Sequence, residues 1–137
     1  MESMPGIQFL IDGPVPPQHR RVHSLATLSE RFSTLLSSVD VIMTKPGYGT
    51  TIEAVQVQTP IVYVRRYNFA DEDSLVTYVH RYGHGVELSR ADFLEARWEP
   101  AIRQALTLPA PASPPPACTG AADAAMHLLP FLRPSEG

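Results

Sequence analysis

The fold class of this chain is decided by one stretch, "DVIMTKPGYGTTIEAVQVQTPIVYVRR", residues 40–66. The apolar run from Val39 to Met43 predicts a buried strand, which a loop with two glycines follows. A short helix is then expected from about Thr50 to Val57, before "TPIVYV" forms another buried strand with Pro60 at a position that strands tolerate. Strand, helix and strand in this order form the repeating unit of a parallel α/β sheet.

The flanking sequence extends the same alternation. "IQFLIDG" and "VEL" predict further strands, and apolar residues recur at helical spacing in three segments. Thr27 and Glu30 form a capping-box pair that starts the first helix, and Pro100 places a fresh helix start near Glu99 in the third. We therefore predict a Rossmann-like parallel sheet with helices on both faces. The periodic residues are Leu28, Phe32, Leu35 and Leu36, then Leu75, Val79 and Tyr82, then Leu94, Trp98, Ile102 and Leu106.

The length of 137 residues suits one domain. We expect the α/β domain to occupy residues 1–108. A proline-dense linker should follow at residues 109–117, because proline disfavours packed elements. Residues 118–137 then form a last helix, which we expect to dock on the same domain.

Composition excludes several classes of protein. There are 11 Lys and Arg residues against 14 Asp and Glu residues, so the chain lacks the basic excess of a nucleic-acid-binding protein. Its apolar runs are far shorter than the roughly 20 residues that span a bilayer. Cys118 is the single cysteine, which rules out an internal disulfide and agrees with a cytoplasmic location.

The glycine loop has the position of a ligand site, because ligands bind at the carboxyl ends of parallel strands. The sequence of the loop nevertheless fits neither of the two common phosphate-binding motifs. Lys45 precedes Gly47 and Gly49, whereas a Walker loop has its lysine after the last glycine. The dinucleotide fingerprint requires a third small residue where Ile52 stands.

Glu53 has two alternative interpretations. Thr50 and Glu53 have the spacing of a capping box, in which the carboxylate satisfies a helix amide. Alternatively, the carboxylate accepts hydroxyl groups of a ribose, as acidic residues do in other nucleotide sites.

Other reactive side chains suggest no catalytic or metal site. His80 and His84 are four residues apart, but Gly83 separates them and no third ligand is placed nearby, so we expect structural roles and no metal. The acids from Asp71 to Asp73 suit the first turn of a helix. We identify no nucleophile with a partner base and expect no cofactor.

Residues 40–66 resemble the carboxyl-terminal, nucleotide-sugar-binding domain of two-domain glycosyltransferases of the GT-B fold. That group includes the peptidoglycan N-acetylglucosaminyltransferases and the diacylglycerol galactosyltransferases. In it, a strand ends in a glycine-containing loop followed by Thr and Glu-Ala, and then by a strand that begins with proline. The continuation from Tyr63 to Leu106 is similar to the glycosyltransferase-like region that precedes the sugar kinase in plant arabinokinases. The likeness spans about residues 22–108.

The resemblance implies half of a GT-B fold and a hexosyltransferase-like protein that binds a nucleotide sugar, expected to be a UDP-sugar. It implies that Glu53 binds the ribose, that Glu72 contacts the donor hexose, and that Arg65 and Arg66 open on the same cleft. The implied nucleotide-sugar-binding residues are Lys45, Gly47, Tyr48, Gly49, Thr50, Glu53, Arg65, Arg66 and Glu72.

The resemblance also leaves catalysis open. Transfer needs an acceptor domain and a general base, which we do not find in this chain, so the catalytic residues are unknown. The family's donor domain also opens with a strand and a glycine-rich turn that help to bind the diphosphate, and this chain is expected to start one strand later, at "IQFLIDGP". A non-enzymatic alternative follows, in which an exposed sheet edge pairs with a partner or with a second copy of the chain.

Overall fold

A computed structural model describes residues 4–15 and 17–132 of the chain. Within these residues, short strands form two parallel sheets, one that pairs β1 with β2 and one with the order β3-β4-β5. The strands are β1 (Phe9–Ile11), β2 (Val22–Ser24), β3 (Ile42–Thr44), β4 (Ile61–Tyr63) and β5 (Gly85–Glu87).

Helices connect and cover the strands. A 3-10 turn, Leu25–Thr27, follows β2. The helices are α1 (Phe32–Ser38), α2 (Tyr48–Gln56), α3 (Glu72–Tyr82), α4 (Arg90–Leu94), α5 (Glu99–Leu106) and α6 (Gly120–Leu132).

The central strand β4 is buried on both faces, and its side chains alternate between two apolar clusters. Ile61 and Tyr63 pack with residues of α1, α2 and α3. Val62 packs on the opposite face with Ile102 and Ala105 of α5. This arrangement confirms the predicted α/β class, with a parallel sheet flanked by helices.

Two glycines after α3 allow close packing. A Cβ atom on Gly83 would lie 2.8 Å from Cγ2 of Val55, and one on Gly85 would overlap Cγ1 of Val79. Neither methyl group can move freely, since Val55 and Val79 are buried. The glycines therefore let the end of α3 and the start of β5 approach the core.

The helix boundaries correct some of the predictions. The first helix begins at Phe32 and not at Thr27, and its N-cap residue Arg31 provides no side-chain cap. The capping-box interpretation of Thr27 and Glu30 is therefore wrong. The predicted fresh start near Glu99 is confirmed, because α5 begins at Glu99 with Pro100 in its first turn.

The last part of the chain differs from the expected docking. No helix or strand lies between α5 and α6, the part of the described chain that contains the proline-dense segment. Every described residue of α6 is exposed, so its side chains do not pack on the sheet. Proline in the preceding segment fixes extended backbone, which gives one physical reason why the helix does not fold back. Residues 133–137 of the predicted last helix lie outside the described residues.

No helix in the described part of the chain combines the length and the apolar character required to cross a membrane.

Candidate functional site

The candidate site lies at the edge of the sheet where β3, β4 and β5 end. Because the three strands are parallel, their carboxyl ends meet at this edge. The glycine loop leaves β3 here, the loop with Arg65 and Arg66 leaves β4, and Glu87 is the last residue of β5. The topology therefore brings together segments that are up to about forty residues apart in sequence.

The glycine loop leads directly into α2. Gly47 is the N-cap residue, and its amide donates a hydrogen bond of 3.2 Å to Oγ1 of buried Thr51. The carbonyl oxygen of Gly47 in turn accepts from the Thr51 amide. Within the described residues, the amides of Tyr48, Gly49 and Thr50 have no acceptor. The start of α2 therefore presents three free N–H groups and the positive end of the helix dipole.

The two glycines of this loop have no steric role in the folded chain. A Cβ atom at Gly49 would meet nothing within 4 Å, and one at Gly47 would only reach the Lys45 carbonyl oxygen at 3.9 Å. Gly47 is extended, with φ at −154°. Unlike Gly83, which packs against Val55, Gly47 and Gly49 have open space around them. The space beside the start of α2 is therefore open.

The polar side chains of this segment are accessible. Lys45 and Tyr48 are exposed, and Thr50 is half-buried. Slight burial raises the pKa of the Tyr48 hydroxyl, and the nearby Asp71 carboxylate raises it further.

Glu53 is an exposed residue in the interior of α2. The helix starts at Tyr48, two residues before the expected position, so Glu53 is its sixth residue and cannot cap it. The capping-box interpretation of Thr50 and Glu53 is therefore wrong. The Glu53 carboxylate forms no hydrogen bond or ion pair with any described residue, so it is free to accept hydrogen bonds from outside.

Arg66 connects the two loops of the site. Its Nη2 atom donates to the carbonyl oxygen of buried Pro46 at 2.8 Å, and its guanidinium lies 4.3 Å from the centre of the Phe69 ring. The loop after β4 is thereby attached to the residue that precedes Gly47.

Arg65 is held by two acids. It forms a close ion pair with Asp73, and its Nε atom lies 3.5 Å from Oε2 of Glu72. The guanidinium also lies 5.0 Å from the centre of the Tyr67 ring, which is a cation–π distance. The positive charge of Arg65 is thus largely paired within the protein.

Glu72 is buried, with 1% of its surface exposed. Its two carboxylate oxygens accept the backbone amides of Arg66 at 2.8 Å and of Tyr67 at 2.9 Å. Burial raises the pKa of the Glu72 carboxyl, but these two hydrogen bonds, with help from Arg65, outweigh it and leave the pKa below its usual value. Glu72 therefore holds the loop after β4, and its buried carboxylate is not exposed to a ligand.

Tyr67 is a site residue that sequence analysis missed. Its backbone is left-handed, with φ at 60°, and the residue is 73% exposed. The hydroxyl group donates to Oε1 of Glu87 at 3.1 Å and so links the loop after β4 to the end of β5. No spacing or motif in the sequence marks this residue. Its position depends on the backbone conformation of the loop, which the sequence pattern does not reveal.

Comparison with known proteins gives a partial similarity. The chain is 36% identical over 74 residues to L-arabinokinase from Arabidopsis thaliana, a match that covers 54% of this chain and 7% of that protein. No family model matches the chain, and no solved structure matches it. The similarity indicates a distant relationship over a small part of a much longer protein.

Proposed function

We propose that this chain binds a nucleotide sugar, with a UDP-sugar as the expected ligand, in the manner of the donor half of a GT-B glycosyltransferase. One observation carries the proposal: the free amides at the start of α2 and the unpaired carboxylate of Glu53 lie on the same helix, at the edge where ligands bind in parallel sheets.

The two ends of this helix segment suit different parts of a nucleotide. The amides of Tyr48, Gly49 and Thr50 suit a diphosphate, because they supply hydrogen bonds and a positive dipole end. Glu53 follows Tyr48 by five residues, which is about 7.5 Å along the helix axis. The Glu53 carboxylate can therefore accept ribose hydroxyl groups while the diphosphate rests against the helix start.

The other predicted residues have supporting roles. Lys45 adjoins the loop and supplies an exposed positive charge. Arg66 fixes the position of Pro46 and thus of Gly47. Glu72 positions Arg65 and the backbone of the loop after β4, in place of the direct hexose contact that the resemblance implies.

The similarity to L-arabinokinase supports a function related to sugars. The proposal is limited to binding, because transfer also requires an acceptor and a general base. We assign neither role to a residue of this chain.

The test is a calorimetric and thermal-shift titration of the full chain with UDP, UDP-glucose, GDP and ADP. Binding to the folded state alone raises stability by roughly 2.7 kcal/mol at 100 times the dissociation constant. We expect the native chain to bind UDP, and we expect Glu53→Gln to bind UDP more weakly. Glu30→Gln is the matched control, since Glu30 is an exposed carboxylate with no partner among the described residues. The proposal fails if no nucleotide binds at millimolar concentration.

A second candidate function is pairing through the edge of β3. All three residues of β3 are half-buried, whereas all three residues of β4 are buried. The Ile42 amide and the Thr44 carbonyl face β4. Because main-chain groups alternate in a parallel strand, those of Met43 face the edge of β3 that pairs with no strand in the described part of the chain. This edge could pair with a second copy of the chain.

Sedimentation of the native chain and of Thr44→Lys distinguishes this candidate, because Thr44 is half-buried at the end of β3 and belongs to neither apolar cluster. A charge on an edge strand opposes pairing, so we expect the native chain to dimerise and the variant to remain monomeric with unchanged circular dichroism. A native chain that is monomeric at high micromolar concentration would exclude self-pairing.

A further inference from the structure

Tyr67 is held in place from several directions although its ring faces solvent. Its amide donates to Glu72, its hydroxyl donates to Glu87, and Arg65 lies against its ring. An exposed tyrosine on a loop usually keeps its side-chain freedom. Here contacts with α3, with β5 and with a neighbouring residue of the same loop hold a tyrosine that the fold does not bury.

The backbone of Tyr67 is explained by Glu72. Successive amides from a right-handed and a left-handed residue can point at one anion, an arrangement called a nest. The amides of Arg66 and Tyr67 both bond to the Glu72 carboxylate, and Tyr67 has the left-handed φ of 60°. This conformation is unfavourable for a tyrosine, and the buried acid compensates for it. The same bonds determine where the ring projects.

The loop that carries Tyr67 lies beside the start of α2, where the proposed ligand would bind. Glu53 lies in the second turn of α2, and the free amides lie in the first. Pro46 precedes that turn and bonds to Arg66, the neighbour of Tyr67 in the chain. A ligand that extends from Glu53 past the helix start would therefore approach the loop that carries Tyr67.

Resting on the proposed function, we propose that Tyr67 is the residue that packs against the sugar ring of the bound nucleotide sugar. The sugar is the part of the ligand beyond the diphosphate, and a pyranose has a face of C–H groups that an aromatic ring can cover. Aromatic side chains contribute large contact areas, and a ring held before binding loses little freedom. Tyr67 thus contributes to the preference for a UDP-sugar over UDP.

The test compares the dissociation constants of UDP and UDP-glucose for the native chain, Tyr67→Ala and Tyr67→Phe. We expect Tyr67→Ala to raise the dissociation constant of UDP-glucose by roughly three- to tenfold and to change that of UDP by less than about twofold. Tyr67→Phe retains the ring and should retain most of the preference. Phe131→Ala is the matched control, because Phe131 is an exposed aromatic residue on α6. Amide chemical shifts check that each variant keeps the fold.

Three results overturn the inference in distinguishable ways. Equal weakening of UDP and UDP-glucose by Tyr67→Ala shows that Tyr67 only supports the loop. Unchanged binding of both ligands shows that the ring touches neither. If the native chain binds neither ligand, the proposed function fails as well.

Discussion

Arg66 donates a hydrogen bond to the carbonyl oxygen of Pro46 across 2.8 Å, and this bond joins the loops that follow two neighbouring strands. The two residues are twenty positions apart. A change at Arg66 therefore affects the glycine loop although the loop's own sequence is intact.

Replacing Arg66 with alanine should lower the affinity for UDP and destabilise the fold by about 1–2 kcal/mol, because the hydrogen bond to Pro46 and the contact with the Phe69 ring are both lost. Urea unfolding and calorimetric titration measure the two effects. Arg90→Ala is a control, since Arg90 is exposed at the start of α4. An unchanged UDP affinity in Arg66→Ala would show that the bond does not position the glycine loop.

Replacing Glu72 with alanine should reduce the free energy of unfolding by about 2–3 kcal/mol, because two loop amides lose their acceptor. Glu72→Gln should cost less, since the amide oxygen still accepts one of these bonds. Urea unfolding at pH 7 gives both values. A loss below about 0.5 kcal/mol in Glu72→Ala would contradict the role of the carboxylate in holding the loop.

Acid should weaken the native chain more than it weakens Glu72→Gln. The pKa of Glu72 is lower in the folded protein than its usual value of 4.5. The charged carboxylate therefore adds stability above about pH 5, and this contribution is lost as the pH falls below 4.5 toward the lower folded pKa. Unfolding free energies from pH 7 to pH 3 measure the difference. Parallel pH profiles of the unfolding free energy for the two proteins would exclude this contribution of the Glu72 carboxylate.

Alanine at Gly49 and at Gly85 should have opposite effects on stability. Gly49 lies in α2 with open space around it, so Gly49→Ala should stabilise the helix by about 0.5–1 kcal/mol. Gly85→Ala should destabilise the fold, because the new methyl group overlaps Val79. Thermal unfolding compares the two variants.

Gly49→Ala should also weaken the binding of UDP, since the methyl group occupies space beside the free amides. Tighter binding of UDP by this variant would count against a ligand at the start of α2.

Removing residues 120–137 should change the free energy of unfolding by less than about 0.5 kcal/mol, because every described residue of α6 is exposed. Urea unfolding of the native and shortened chains tests this expectation. A loss of several kcal/mol would show that the helix packs on the α/β domain, as the sequence predicts.

Local patterns in the sequence predicted much of the fold. Leu75 and Val79 are buried at helical spacing on α3, and Ile61 and Val62 are buried in β4, as their apolar patterns indicate. By contrast, β2 was missed because its sequence, Val22–Ser24, contains one apolar residue. Helical periodicity also misled the prediction for α1, because Leu28 lies before the helix and is exposed.

The candidate site was less predictable, because its geometry depends on bonds between distant segments. Arg65 and Arg66 follow β4 as expected, but sequence spacing does not show that Glu72 bonds to the amides of the loop. Thr50 and Glu53 satisfied a local rule for a helix cap, yet the helix began two residues earlier. Tyr67 could not be recognised without its backbone angle.

The buried carboxylate of Glu72 has a consequence for the kinetics of recognition. It acts as a permanent internal anion that shapes the loop after β4 before any ligand arrives. A preorganised loop loses little conformational entropy on binding, and association without a folding step is not slowed by loop closure. We therefore expect a ligand to bind at this edge of the sheet without a rearrangement of the loop after β4.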